Sequence, residues 1–276
     1  MGTGTREEWI ENRPSRGLRL PDLRELWQYR ELAYFLALRD LKVRYKQAAL
    51  GAGWAIFQPV VLTVVFTLVF TRFARVETAI PYPIFALSGL IAWTYVAGSL
   101  TRSTQILVAN TPLVTKVYFP RLLAPVASAL PGMVDLLLSL LVLAVVMPFY
   151  DVRPTWAILT LPLWLAAMLV VVLGVSLLLG TLNVRYRDVT HGITLLVQLW
   201  IFVSPVAYPS DAVPEAWRVL YFLNPVAGVL EGFRWALAGA AWPGSVVFLS
   251  LGTALVLLAA GVLYFQHAER RFADVI

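Results

Sequence analysis

Few side chains in this sequence can do chemistry, and their spacing suits recognition of charge better than the making of bonds. There is no cysteine, so no thiol nucleophile, disulfide or thiolate metal site is available. His191 and His267 lie far apart, and no His, Asp and Glu cluster has the spacing of metal ligands. No G-x-x-x-x-G-K-[ST] loop occurs to cradle a nucleotide phosphate. Gly51-Ala-Gly53 is the nearest Gly-rich piece, and it opens an apolar run, where close helix packing is its natural role. Basic residues do gather: Arg39, Lys42, Arg44 and Lys46 form a cationic set suited to anionic headgroups. Glu231 and Arg234 stand three apart and can pair on one helical face. Asp135 is a lone carboxylate deep in an apolar run, where an ionisable group is costly and faces protein or water. A dimer seam, a conduit, a buried pair, or a neutral state beside Ser128 or Ser139 would each accommodate it.

The elements that must position these residues follow from composition. The chain is 59% hydrophobic and 14% charged, against about 25% charged for soluble domains. Val60–Phe70, Met133–Met147 and Trp164–Leu182 contain a single ionisable residue between them, Asp135. A soluble helix keeps a polar face, whereas lipid demands apolar side chains around it. The expectation is an all-α polytopic membrane protein with six spans: 50–70, 83–100, 122–147, 156–182, 193–206 and 245–265. With that numbering, seventeen basic residues fall on one side and five on the other. The imbalance puts both termini in the cytoplasm. The polar, charged N-terminal stretch does not read as a cleaved signal peptide. The spans show no inverted repeat.

Three segments between or before spans are legible. Pro21, Asp22 and Glu25 form a capping box that starts a helix over 22–47. Leu23, Leu26, Trp27, Tyr34, Leu38, Leu41 and Tyr45 share one stripe of it, with Arg24, Glu31, Arg39, Lys42 and Lys46 to one side. Such an amphipathic helix lies in the interface with its basic residues on anionic lipid; the alternative is a cytosolic helix packed on a partner. Near 110–120, Asn110 or Thr111 caps and Pro112 opens a short helix that Pro120 stops. Between 209 and 239, Pro214–Leu223 forms a short helix, Asn224 caps, and Pro225 occupies the first turn of a second helix. That second helix, 226–237, is too short to cross a bilayer. The pair is expected to be a re-entrant hairpin flanking an aqueous vestibule, with Glu231 and Arg234 within reach of solvent, substrate or each other.

Several stretches resemble one family. They are Arg39-Asp-Leu-Lys-Val-Arg-Tyr-Lys46 followed by Leu50-Gly51 and Trp54, then Phe119-Pro-Arg-Leu122, Asn183-Val-Arg-Tyr-Arg-Asp-Val189, and Ser204-Pro-Val-Ala-Tyr-Pro through Asn224-Pro-Val. From about Leu20 on, the chain resembles the type-2 ABC exporter permeases of the polysaccharide (O-antigen) and teichoic-acid export family. The resemblance implies a homodimer with a conduit between protomers, working with two copies of a separate ABC nucleotide-binding protein. ATP and Mg then bind the partner, and this chain binds no cofactor. The cargo implied is a lipid-pyrophosphate-linked glycan. The segment near 110–120 becomes the coupling helix, with Pro112, Leu113, Lys116, Val117, Tyr118 and Phe119 meeting the ATPase. Arg39, Lys42 and Arg44 become candidates for the substrate or lipid headgroup.

Aromatics at span ends fit an interface belt. Phe57, Gln58, Phe66, Trp200 and Phe202 are candidates for a conduit lining, and Trp217, Tyr221, Glu231 and Arg234 for an external gate. The domain plan is a polar N-terminus over 1–21 with no assigned role, the interfacial helix, one permease domain over 48–266, and a cytoplasmic tail over 267–276. The chain is therefore expected to be a transporter subunit of a bacterial inner membrane that contacts lipid and no nucleic acid. A polytopic transferase would need an acid–base or metal constellation, which is missing. A secondary transporter or channel would need more ionisable residues inside spans. Within the family, an exporter of a drug or small lipid is the alternative.

Overall fold

The computed structural model describes residues 23–46, 51, 53–111, 119–269 and 272. The N-terminal domain over 1–21 and the coupling residues Pro112, Leu113, Lys116, Val117 and Tyr118 lie outside the described residues. The described chain is helical, with no strand. Its helices are α1 (Leu23–Gln28), α2 (Arg30–Lys46), α3 (Gly53–Thr67), α4 (Tyr82–Ala109), α5 (Leu123–Val146), α6 (Leu161–Arg185), α7 (Val189–Trp200), α8 (Glu215–Phe222), α9 (Pro225–Ala238) and α10 (Val247–Glu269).

Five helical stretches are long and apolar enough to cross a membrane: Gly53–Phe73, Tyr82–Ala109, Leu123–Tyr150, Trp156–Arg185 and Val247–Glu269. They coincide with five of the six expected spans. The remaining stretch, 193–206, divides. Its first part belongs to α7, and beyond Trp200 the backbone tightens into i→i−3 bonds, Val203 N–H to Trp200 C=O and Ser204 N–H to Ile201 C=O. Pro205, which has no N–H to donate, ends that run.

The arm α1–α2 is nearly one helix, because Tyr29 N–H bonds Glu25 C=O and Ala33 N–H bonds Tyr29 C=O across the break. It has two apolar faces where the sequence suggested one. Ala33 and Leu36, with Leu26, Tyr29 and Leu32 beside them, pack into a cluster with Leu107, Phe119, Leu123, Leu177 and Phe265. Trp27, Tyr34, Phe35 and Val43 face outward.

Two features show how lipid-soluble helices settle their backbones. Pro59 sits inside α3 and leaves the carbonyl of Ala55 without its helical partner. Ser139 of α5 donates its hydroxyl to that carbonyl at 2.8 Å, so the helix continues and is tied to its neighbour. Elsewhere, α6 and α10 cross in backbone contact. A Cβ on Gly174 would lie 2.7 Å from Leu258 N, and one on Gly261 would lie 2.7 Å from Gly174 O. Small residues at such crossings let apolar helices associate by close packing where no hydrophobic force acts between them.

α4 is the enclosed centre, with 78% of its most apolar window buried, whereas α3 has 11% and lies at the edge. The expected end of this span at residue 100 is a correction: the helix runs on to Ala109. Thr101 and Thr104 satisfy their own hydroxyls within it by bonding back to the carbonyls of Ala97 and Leu100 at 2.8 Å. Arg102 therefore stands inside a spanning helix, not in a loop.

Candidate functional site

A cavity of about 830 Å³ opens between the end of α2 and helices α3, α4, α5 and α7. It follows α4 from Leu90 to Arg102, about 18 Å of helix axis at 1.5 Å per residue. Trp54, Phe66, Trp93, Tyr95 and Phe202 give it aromatic walls, and Gln58 and Gln198 add amides. Arg44, Tyr45, Arg102, Asp135 and Ser139 supply the strongest polar groups.

Asp135 decides the local electrostatics. Arg44 forms an ion pair with its Oδ2, and the Tyr45 hydroxyl donates to its Oδ1. Asp135 is thus half-buried at the cavity wall and paired with the arm. Burial, and then the hydrogen bond and charge of Asp135, push the Tyr45 phenol above its ordinary value, so Tyr45 remains a donor. Arg102 reaches the cavity from α4 and donates to Ser99 Oγ at 3.1 Å. Room for its guanidinium comes from two glycines. A Cβ at Gly98 would stand 3.0 Å from Arg102 Nη1, and one at Gly132 would stand 2.7 Å from Nη2. Among the described residues, no three His, Asp or Glu side chains lie close enough to share a metal ion.

The structure brings some of the expected residues together and separates others. Gln58, Phe66 and Phe202 line the cavity. Phe57 does not; it is exposed and meets Trp54 edge-on at 5.6 Å. Trp200 is also outside it, since its Nε1 donates to Asn224 Oδ1 at 2.9 Å and its ring meets Trp93 edge-on. Of the basic set, Arg44 lines the cavity and Lys42 is exposed. Arg39 pairs with Asp40 and donates to Asn110 Oδ1 at 3.1 Å. Asn110 closes α4 as its C-cap, and Phe119 is buried against the arm and α10.

The hairpin has the capping the sequence announced. Asn224 Oδ1 accepts from Val226 N–H at 3.0 Å, and Pro225 takes the first turn of α9. α9 is enclosed by α4, α6 and α10, which is not the setting of a surface loop. Ser250 of α10 accepts from Gly228 N–H at 3.0 Å and faces the carbonyls of Phe222 and Asn224 at 2.7 and 2.9 Å. Glu231 and Arg234 meet each other, with Nη1 3.5 Å from Oε1. Arg234 also donates to Val206 C=O at 2.9 Å and Phe85 C=O at 3.3 Å, and its Cζ lies 3.7 Å from the Phe85 ring centre. The Arg234 side chain is wholly enclosed. The expected exposure of this pair to solvent is absent in the protomer, because three carbonyl and carboxylate partners and an aromatic face close over it. Trp217 is exposed, and the Tyr221 hydroxyl bonds that of Tyr208 at 3.3 Å.

A polytopic helical bundle with this cavity sets the comparisons in context. A family model described as ABC-2 type transporter matches residues 31–238. The chain belongs to that family. The permease is similar to the O-antigen export system permease protein RfbA of Myxococcus xanthus, with 30% identity over 257 residues that cover 92% of this chain and 98% of that protein. It is similar to RfbA of Klebsiella pneumoniae, at 28% over 251 residues, 89% of this chain and 95% of that protein. It is also similar to the polysialic acid transport protein KpsM of Escherichia coli, at 23% over 242 residues, 85% and 92%. The permease is therefore a transporter's membrane component and a multi-pass membrane protein.

Arg102, Tyr45 and Ser139 were not singled out from sequence as site residues. The helical spacing of Tyr95, Ser99 and Arg102, together with Gly98 and Gly132, was the available signal. It goes unread once the span is taken to stop at 100.

Proposed function

We propose that this permease is the transmembrane subunit of an ATP-driven ABC exporter that carries a lipid-linked polysaccharide across the bacterial cytoplasmic membrane. The observation that supports it best is the cavity, aromatic and amide-bearing along α4 and charged where Arg44, Asp135 and Arg102 converge. Sugar rings present flat C–H faces to aromatic rings and hydroxyls to amides, and a phosphate linkage presents an anion to arginine. The names of the three relatives support a glycan cargo. ATP and Mg bind a separate nucleotide-binding subunit in this reading, two copies of which serve a homodimer of the permease. The segment 112–118 couples to that subunit, with Phe119, expected to meet it as well, turned instead into the cluster under the arm; the arm α1–α2 lies at the interface with Trp27 and Tyr34 toward lipid, and both termini are cytoplasmic. The hairpin α8–α9 re-enters from the external side. In this reading the cargo is O-antigen, teichoic acid or a related envelope glycan.

The test is a depletion strain scored for surface glycan and complemented with the wild-type gene or with Val117→Pro. The wild type restores glycan display; Val117→Pro inserts normally and does not. Unchanged glycan display on depletion, with a drug or small lipid accumulating instead, replaces this reading by the small-cargo one.

A further inference from the structure

We propose that α10 carries the thrust of the ATPase from the cytoplasmic coupling segment to the hairpin α8–α9, and that Arg121 is the positioning residue that seats the segment on it. The inference rests on the exporter reading for the source of the thrust, and on the contacts at the two ends of α10 for its path.

At one end, the stretch that leaves the coupling segment grips the last turn of α10. Arg121 Nη1 donates to Glu269 C=O at 2.6 Å, and Arg121 N–H donates to Glu269 Oε1 at 3.4 Å. A guanidinium at the C-terminal end of a helix is favoured by the helix dipole. Phe119 is buried in one cluster with Phe265 and Phe272, whose rings meet edge-on at 5.3 Å. The other flank of the segment is held by the arm, through Arg39 and Asn110 Oδ1.

At the opposite end, one hydroxyl joins α10 to both helices of the hairpin. Ser250 Oγ accepts from Gly228 N–H of α9 at 3.0 Å and lies 2.7 Å from the carbonyl of Phe222, which ends α8. The seat is close: a Cβ on Gly228 would stand 2.7 Å from Ser250 Cβ and 3.0 Å from Val247 C=O. Axial movement of α10 therefore breaks or remakes these bonds, and packed contacts of this kind switch between discrete arrangements.

Between its ends α10 is one α-helix, Val247–Glu269, with no proline inside it, so nothing in its sequence forces a kink. From Ser250 to Glu269 it spans about 28 Å at 1.5 Å per residue. It crosses α6 backbone on backbone at Gly174 and Gly261, with no bulky side chain set in the way of a pivot. The helices α4 and α5 also flank the coupling segment in the chain. Of their most apolar windows, however, 78% and 33% are buried, against 22% for α10. Of the three helices, α10 has the least packing to displace.

The experiment adds one cysteine to this cysteine-free chain, at the exposed Val219 of α8. The permease is co-purified with its nucleotide-binding partner and placed in nanodiscs. Labelling by a membrane-impermeant maleimide is timed with and without ATP and vanadate. Nucleotide is expected to change the labelling rate of Val219→Cys by about fivefold or more. Adding Arg121→Met abolishes that change while the complex still assembles and hydrolyses ATP. Arg121→Lys, which keeps a charged donor for the Glu269 carbonyl, retains it. A merely structural Arg121 lowers the yield of complex and leaves the nucleotide response of the assembled fraction intact, and that result overturns the proposal. So does a labelling rate that ignores nucleotide with Arg121 in place, or a lysine variant as unresponsive as the methionine one. Should Arg121→Met fail to fold, Ser250→Ala breaks the path at its other end, and a preserved nucleotide response in that variant overturns the proposal. Hydrogen exchange judges the same path without a partner. Arg121→Met speeds exchange of the Gly228 amide at the far end of α10, Arg121→Lys leaves it near wild type, and equal exchange in all three overturns the path. Failure of any nucleotide-binding protein to co-purify with the wild type defeats the exporter reading, and the exchange rates then decide the path alone.

Discussion

Replacing Arg234 by Met tests whether the enclosed pair at α9 is a structural lock. Met fills much of the Arg stem's volume, so packing loss is small and the electrostatic change dominates. The substitution deletes the donors to Val206 C=O and Phe85 C=O and the cation over the Phe85 ring. It leaves Glu231 with Ser210 N–H at 3.3 Å and no opposite charge. Breaking a buried pair from one side costs about 3–5 kcal/mol. At about 2–4 °C per kcal/mol for a chain of this size, the apparent Tm falls by about 6–20 °C. The second arm of the test is Glu231→Gln together with Arg234→Met. A neutral pair no longer strands a charge, so the double variant recovers much of the loss. The assay is thermal unfolding of detergent-solubilised permease, read by loss of the monodisperse peak on size exclusion. An Arg234→Met variant within 2 °C of wild type, or a double variant whose loss equals the sum of the two single losses, refutes the lock.

Other outcomes follow from the same contacts. Gly174→Ala drives a Cβ against Leu258 N and destabilises by about 1–3 kcal/mol through overpacking; an unchanged Tm contradicts the close crossing of α6 and α10. Asn224→Ala removes the α9 cap, the acceptor for Trp200 Nε1 and the Nδ2 donor to Val203 C=O and Ser204 Oγ, at a combined cost of about 1–3 kcal/mol; an unchanged Tm refutes the capping role. Because the chain has no cysteine, single-cysteine labelling reads topology directly. Cysteines at Glu7, Arg187 and Asp274 react from the cytoplasm and those at Val76 and Ala212 from outside. External labelling at Asp274 sinks the orientation.

What the sequence disclosed follows the range of the forces involved. Hydropathy sums over about 20 residues, so five long spans emerge close to their observed positions. Capping is local, so Asn224-Pro225 announces α9 almost to the residue. Hydropathy falls at Thr101 and Arg102, so it places the end of α4 too early; the backbone bonds continue to Ala109 because the polar side chains there find partners inside the protein, Thr101 and Thr104 on backbone carbonyls and Arg102 on Ser99. Asp135 was recognised as anomalous, but its partners lie 90 and 91 positions away, and no periodicity reports contacts at that distance. The arm was read as one stripe because its second apolar face, through Leu32 and Leu36, has meaning only once α4, α5 and α10 are present to receive it. Spacing announces that Glu231 and Arg234 pair with each other, and the carbonyls that enclose Arg234 come from residues 85 and 206, which no local pattern reports.

The enclosure of α9 has a consequence for the order in which the molecule is made. Its 14 residues are too few to be inserted as a span by themselves. Its niche is walled by α4 and α6, which precede it, and by α10, which follows. Synthesis runs from the N-terminus, so α9 emerges with one wall missing, and the Gly228 N–H waits for Ser250. Until the last helix enters the bilayer, the Gly228 N–H and the carbonyls of Phe222 and Asn224 lack the Ser250 hydroxyl. Biogenesis of this subunit therefore finishes at its C-terminal helix. A chain stopped short of residue 247 retains every wall of the groove and yet lacks the last wall of the hairpin's niche.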